Sequence, residues 1–269
     1  MILKNPDNTE TYYQTLGNRS AKTLVLLHGI GADCGMWQPQ MKKYANRGYH
    51  LLVPDLFGHG RSSKLSHITL SDWHNQINWL LERHDIKKCT LIGVSMGGVI
   101  TQSFVVNYLD KVEKAIVVDS FSELKTYKEK LLGFSAVVGF NLFKFLGKKF
   151  LSKGMELNYS QSYAQPARDY FQKVSLNLDL NQMILARKAI NKIDDLEKLK
   201  SITLPTLVIV GAQLGQWFIE VNRKIANSLP NSQFVILENS IDPSNLVNPV
   251  EFDRYVLEFL QRESLDSPT

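Results

Sequence analysis

The sequence predicts an α/β fold: a mostly parallel twisted sheet flanked by helices, interrupted by a helical insertion. Three observations predict it. Short apolar runs alternate with stretches of helical spacing at both ends of the chain, as in a sheet covered by helices. Between Phe121 and Leu199 that alternation stops, and helical patterns continue without a convincing strand. At Leu91 to Ile100 an apolar run passes into a helical run through Gly93-Val94-Ser95-Met96-Gly97, a sharp strand-to-helix turn.

The elements follow in order. Thr11 to Thr15 and Lys22 to Leu27 read as strands, the second closed by His28-Gly29-Ile30-Gly31. Trp37, Met41 and Tyr44 share one face of a helix over about Met36 to Arg47. Tyr49 to Val53 is a strand ending in Pro54-Asp55 and the glycine-rich run Gly58-His59-Gly60-Arg61-Ser62. A helix starting near Ser71, a candidate N-cap, aligns Trp73, Ile77, Leu80 and Leu81. Cys89 to Ile92 feeds the Ser95 turn, and the helix after it runs to about Tyr108. Lys114 to Val118 is a strand ending in Asp119-Ser120. Strands resume at Thr206 to Val210 and Phe234 to Leu237, followed by helices near Gln216 to Ser228 and Pro249 to Gln261. The expected division is a sheet core from 1–120 and 200–269 with a helical cap from 121–199, and only the tail Ser264 to Thr269 resembles a linker. Such a cap lies over the strand C-terminal edge, where ligands bind in parallel sheets.

Composition narrows the function classes. At 269 residues, 44% hydrophobic and 21% charged, the chain suits one large globular domain with an insertion. The net charge of +5 carries no long basic block and no nucleic-acid motif, so no nucleic-acid partner is expected. No run reaches the ~20 apolar residues of a membrane span, and Met1 to Glu10 lacks a signal pattern. Stable membrane insertion is not expected. Cys34 and Cys89 fit a reducing compartment, with a cytoplasmic location as the default and neither cysteine flanked by ligand-like residues. No cofactor and no metal site is expected, and nothing sets the oligomeric state.

The turn at Ser95 is a nucleophile-elbow pattern, in which bare glycines let strand and helix approach and the serine is strained at the apex. Together with His28-Gly29-Ile30-Gly31, Pro54-Asp55, Gly58 to Ser62, Pro205 before a strand ending in Gly211, and Asn248-Pro249-Val250-Glu251-Phe252, it resembles the α/β-hydrolase superfamily over nearly the whole chain. The resemblance implies an esterase- or lipase-like branch with a helical cap. It also implies an oxyanion hole from the backbone N–H groups of Ile30 and Met96, each such donor being worth about 10²–10³ in rate.

The rest of the triad departs from the family's pattern. Three residues beyond Gly211, where the resemblance places the acid, stands Leu214. Seven residues before Pro249, where it places the histidine, stands Asp242. All six histidines (His28, His50, His59, His67, His74 and His84) precede the elbow. His28 and His59 belong to loops at the strand edge, where supporting those loops competes with acting as a base. The other four read as surface or packing residues. Asp242 has two readings. It caps the turn Asp242-Pro243-Ser244-Asn245, the commoner use, or burial beside Leu214 raises its pKa and makes it a base for Ser95. Asp119 reads as structural.

The cap run Leu131 to Phe150 is rich in large apolar residues. It reads as a helix packed on the mouth of the sheet, as an apolar lid over a ligand, or as an amphipathic helix touching membrane through Lys144, Lys148 and Lys149. With Tyr159, Tyr163, Tyr170 and Phe171 it suits a neutral or weakly polar small molecule. Two functions are expected from these residues. One is a serine-type, esterase-like hydrolase of a small apolar ester or other acyl substrate, using Ser95 and Asp242. The other is a non-hydrolytic member, either a ligand-binding pseudoenzyme or a lyase or cyclase using the oxyanion hole. A purely structural interaction protein has only the amphipathic cap in its favour.

Overall fold

The computed structural model describes residues 1–262, so the linker-like tail Ser264 to Thr269 lies outside the described residues. The strands are β1 (Ile2–Lys4), β2 (Glu10–Leu16), β3 (Thr23–Leu27), β4 (His50–Pro54), β5 (Cys89–Val94), β6 (Val112–Val118), β7 (Thr206–Gly211) and β8 (Ser232–Leu237). They form one sheet in the order β1-β2-β4-β3-β5-β6-β7-β8, parallel from β4 through β8 and antiparallel at the β1-β2-β4 end. The helices are α1 (Gln38–Asn46), α2 (Leu70–Arg83), α3 (Met96–Asn107), α4 (Tyr127–Leu146), α5 (Lys148–Asn158), α6 (Gln165–Ser175), α7 (Leu180–Ile190), α8 (Gln216–Ser228), α9 (Ser244–Val247) and α10 (Pro249–Gln261). This is the α/β architecture that the alternating pattern predicts.

The central strands are buried along their whole length because helices cover both faces of the sheet. Alternate residues serve opposite cores. Val25, Leu27, Leu52 and Leu91 pack with Trp73, Ile77 and Leu80 of α2 and Val99, Ile100 and Phe104 of α3. Leu24, Leu26, Leu51 and Ile92 pack with Met41 and Tyr44 of α1 and Phe252 and Val256 of α10. β3 lies between β4 and β5, so the chain leaves β3 to one side and returns past it to the other. That reversal opens a crevice at the strand C-termini, between the loop after β3 and the turn after β5.

Three local expectations need correction. The α2 N-cap is Thr69 rather than Ser71: Thr69 and Asp72 bond reciprocally in a capping box, which Ser71, two residues later and already inside the helix, cannot form. β1 has no counterpart in the sequence reading, because a three-residue edge strand paired only to β2 is too short to show alternation. The run Leu131 to Phe150 is not one helix but parts of two, with Gly147 between them at φ 89. Only Glu129 and Gly133 of α4 are buried.

Candidate active site

The parallel register brings the ends of β3, β5, β6, β7 and β8 to one edge. A cavity of about 600 Å³ opens there. Ser95, Ile30, Leu214 and Asp242 all line it, so four residues scattered over the sequence share one site. Its apolar wall comes from the α4–α7 segment: Phe140 and Phe143 of α4, Leu151 and Met155 of α5, Phe171 of α6, and Leu178. No histidine is among the lining residues.

Ser95 stands at φ 56, ψ −114, a region that a non-glycine residue adopts only when its surroundings enforce it. The enforcement is tertiary. A Cβ at Gly93 would collide with the Gly97 carbonyl, and one at Gly97 with the Leu27 carbonyl, so strand, helix and neighbouring strand close up only through these glycines. The Ser95 N–H donates to the Val118 carbonyl (2.8 Å), and the Ser120 hydroxyl donates to the Ser95 carbonyl (3.0 Å). Met96 opens α3, so its N–H has no intrahelical acceptor. The Ile30 N–H has no acceptor among the described residues, and Gly29 lies against the Ser95 side chain.

Asp242 does not cap its turn. The Ser244 N–H donates instead to Asp119 Oδ2 (2.8 Å), and the Asp242 carboxyl faces Ser95 inside the cavity. The turn-capping expectation therefore fails: the acid that holds this turn comes from the end of β6. Burial pushes the Asp242 pKa up to about 8, and the Asp119 charge adds to the rise. The Ser95 hydroxyl and Arg187 oppose it. The hydroxyl favours the carboxylate without a full hydrogen bond between the two side chains.

Asp119 is structural, as its position suggested. At φ 50 it turns back over the sheet edge, and its Oδ1 accepts from the Gly211 N–H (2.8 Å). One carboxyl thus ties the ends of β6 and β7 to the loop carrying Asp242. That loop is held again by Gln213, whose Oε1 accepts from the Ser240 N–H (2.6 Å) and whose N–H donates to the Ser240 carbonyl (3.1 Å). From the cap side, the Tyr159 hydroxyl donates to the Asp242 carbonyl (2.9 Å), and its ring stacks on Phe171.

Neither edge histidine reaches Ser95. His28 Nε2 accepts from the Leu56 N–H (2.9 Å), which leaves Nδ1 as the donor to the Gly29 carbonyl (2.8 Å). Both nitrogens are used, the tautomer is set, and burial lowers the pKa. His59 donates from Nδ1 to the Phe57 carbonyl (3.2 Å), and burial with its neighbour His28 brings its pKa down to about 3. Both are neutral supports for their loops. His50 is bonded between Thr15 and Thr23, His74 packs on Phe104 and Tyr108, and His84 bonds the Tyr13 hydroxyl; His67 is exposed. Cys34 and Cys89 are buried free thiols whose pKa values burial drives upward.

Sequence reading missed Arg187. It sits on α7, buried, over the Phe121 ring, with one donor on the Leu132 carbonyl (3.3 Å); among the described residues its Nε has no partner and no carboxylate is in contact. Burial lowers its pKa to about 10, while the field of Asp242 works in the opposite direction. No sequence signal marks it, because one arginine on a helix ordinarily faces water. Among the described residues, no cluster of His, Cys, Asp and Glu has a metal-holding arrangement.

Residues 22–249 match the family model described as alpha/beta hydrolase fold. The chain belongs to that family. It is 25% identical over 263 residues to a 3-oxoadipate enol-lactonase of Acinetobacter baylyi, covering 94% of this chain and 93% of the relative. It is 26% identical over 261 residues to a pimeloyl-acyl-carrier-protein methyl ester esterase of Vibrio vulnificus, covering 94% and 98%. The crystal structure of the enol-lactonase from Burkholderia xenovorans LB400 superposes with a TM-score of 0.85 at 20% identity, over 97% of this chain and all (100%) of that one. This α/β-hydrolase thus shares that structure's fold over 97% of its length. Among the described residues, no helix is long and apolar enough to cross a membrane.

Proposed function

We propose that this α/β-hydrolase is a serine-type hydrolase of a small ester or other acyl substrate of apolar character. Supporting it most is the pairing of a strained, cavity-facing Ser95 with a carboxyl whose pKa stands near 8. An ordinary carboxylate, titrating near 4, is too weak a base for a serine proton; one raised this far is much closer to the task. In the proposed step the Asp242 carboxylate takes the Ser95 hydroxyl proton as the Ser95 oxygen attacks the acyl carbon. The Ile30 and Met96 N–H groups stabilise the oxyanion. The Asp242 proton then goes to the departing alkoxide, leaving an acyl-serine. Asp242 next takes a proton from the attacking water and returns it to Ser95 as the acid leaves. The apolar wall from Phe140 to Leu178 suits the acyl chain, and the esters and lactone in the relatives' names fit the same bond type.

The raised pKa also supports the alternative. At neutral pH a carboxyl titrating near 8 is mostly protonated, so Asp242 would serve as a hydrogen-bond donor in a ligand-binding pseudoenzyme, or as an acid in a lyase or cyclase.

The two readings separate by pH. Under the hydrolase reading the base must be ionised, so hydrolysis of short p-nitrophenyl esters rises with pH to an inflection near 8 and falls away below it. A fluorophosphonate then labels Ser95, and faster above that inflection. No labelling and no turnover on the alkaline side, with bound ligand still detectable, would establish the non-hydrolytic reading.

A further inference from the structure

The outer face of α4 presents a continuous apolar stripe to water. Tyr127, Leu131, Phe134, Val138, Leu142 and Phe145 recur at helical spacing, with Phe134 66% and Phe145 87% exposed. At 3.6 residues per turn they fall within an arc of roughly 80°. The opposite face holds the inward-turned Glu129 and Gly133 and the cavity-lining Phe140 and Phe143. A soluble surface rarely leaves such a stripe uncovered.

Charge identifies what covers it. α4 and α5 carry six lysines and two acids, and one of those acids, Glu129, is buried as the α4 capping residue. Lys128 flanks one edge of the stripe, Lys130 and Lys144 the other, and Lys148 and Lys149 follow at the end where Phe145, Leu146 and Phe150 project. Among the described residues none of these lysines forms a salt bridge. A second copy seated on the stripe would set lysine rows against lysine rows. An anionic lipid surface instead meets the lysines with phosphates and takes the rings into its acyl boundary.

We infer that the outer face of α4, with the start of α5, docks on an anionic bilayer surface as an interfacial amphipathic helix. The contact is peripheral, and it turns the roof of the Ser95 cavity toward the lipid. It does not depend on the chemistry proposed for Ser95.

Cosedimentation of the full chain with vesicles tests this. The chain is expected to sediment with mixed phosphatidylcholine–phosphatidylglycerol vesicles, to remain in solution with phosphatidylcholine alone, and to be released by salt. Each lysine near the surface strengthens partition by roughly fivefold. The double variants Lys144→Glu/Lys148→Glu and Phe134→Ser/Phe145→Ser each weaken binding by about tenfold or more, while their melting curves and Ser95 reactivity toward a fluorophosphonate stay as in the parent. Failure to bind the mixed vesicles, or variants that bind like the parent, would overturn the inference. So would a dimer in light scattering that the phenylalanine variant disperses, because a second copy would then be what covers the stripe.

Discussion

The floor of the Ser95 cavity is held by a close set of buried polar bonds, whereas the surface its roof turns to the cavity is mainly apolar. On the floor, Asp119 accepts two backbone amides, Gln213 clamps Ser240, and Ser120 holds the Ser95 carbonyl. Each bond has a defined direction, so the floor sets atoms to within a bond's tolerance. Over it, Phe140, Phe143, Leu151 and Met155 meet the cavity through apolar side chains. Dispersion is non-directional, so such a roof selects for shape and apolarity and yields more easily. The geometry the proposed chemistry needs and the adaptability a substrate needs are thus separated along the chain.

Three changes would break or sharpen this contrast. The largest effect is expected on the floor at Asp242. Asp242→Asn keeps the shape and removes the proposed base, so ester turnover is expected to fall by about 10²–10⁴ while the melting temperature holds or rises, one buried ionisable group being gone. Turnover within a few-fold of the parent would show that another group activates Ser95. Next is Asp119→Asn. Only one oxygen then remains for two amides, and an orphaned buried N–H costs about 1–3 kcal/mol in chemical denaturation. Because the Asp119 charge helps raise the Asp242 pKa, its removal also moves the ascending limb of the rate profile to lower pH. An unmoved limb would mean that burial alone sets it. Smallest is the roof. Phe143→Ala is expected to shift kcat/KM between short-chain and longer-chain p-nitrophenyl esters by about tenfold, with little loss of stability, since Phe143 is only half-buried. A stability loss as large as that at Asp119 would show the roof to be as tightly built as the floor.

The site was half legible in the sequence. The elbow could be read because its glycines, its serine and its flanking runs are contiguous, and each acts through local sterics. Asp242 could be located by counting from Pro249, but its use could not. Whether it capped a turn or faced Ser95 depended on Asp119, more than a hundred residues earlier, taking the Ser244 amide first. The silence of His28 was equally hidden, because its two partners, Gly29 and Leu56, exhaust the ring only when β3 and β4 lie side by side.

The sequence by itself determined the order of strands and helices, the tight turn at Ser95, and the absence of any histidine beyond His84. Those follow from short-range preferences: side-chain period, glycine sterics and residue identity. Only the tertiary structure decided that burial raises the Asp242 carboxyl pKa where it faces Ser95, that Arg187 is buried with no carboxylate beside it among the described residues, and that one face of α4 is left to water. Desolvation and long-range fields depend on what lies across the cavity. That is set by packing between distant segments, and no local pattern records it.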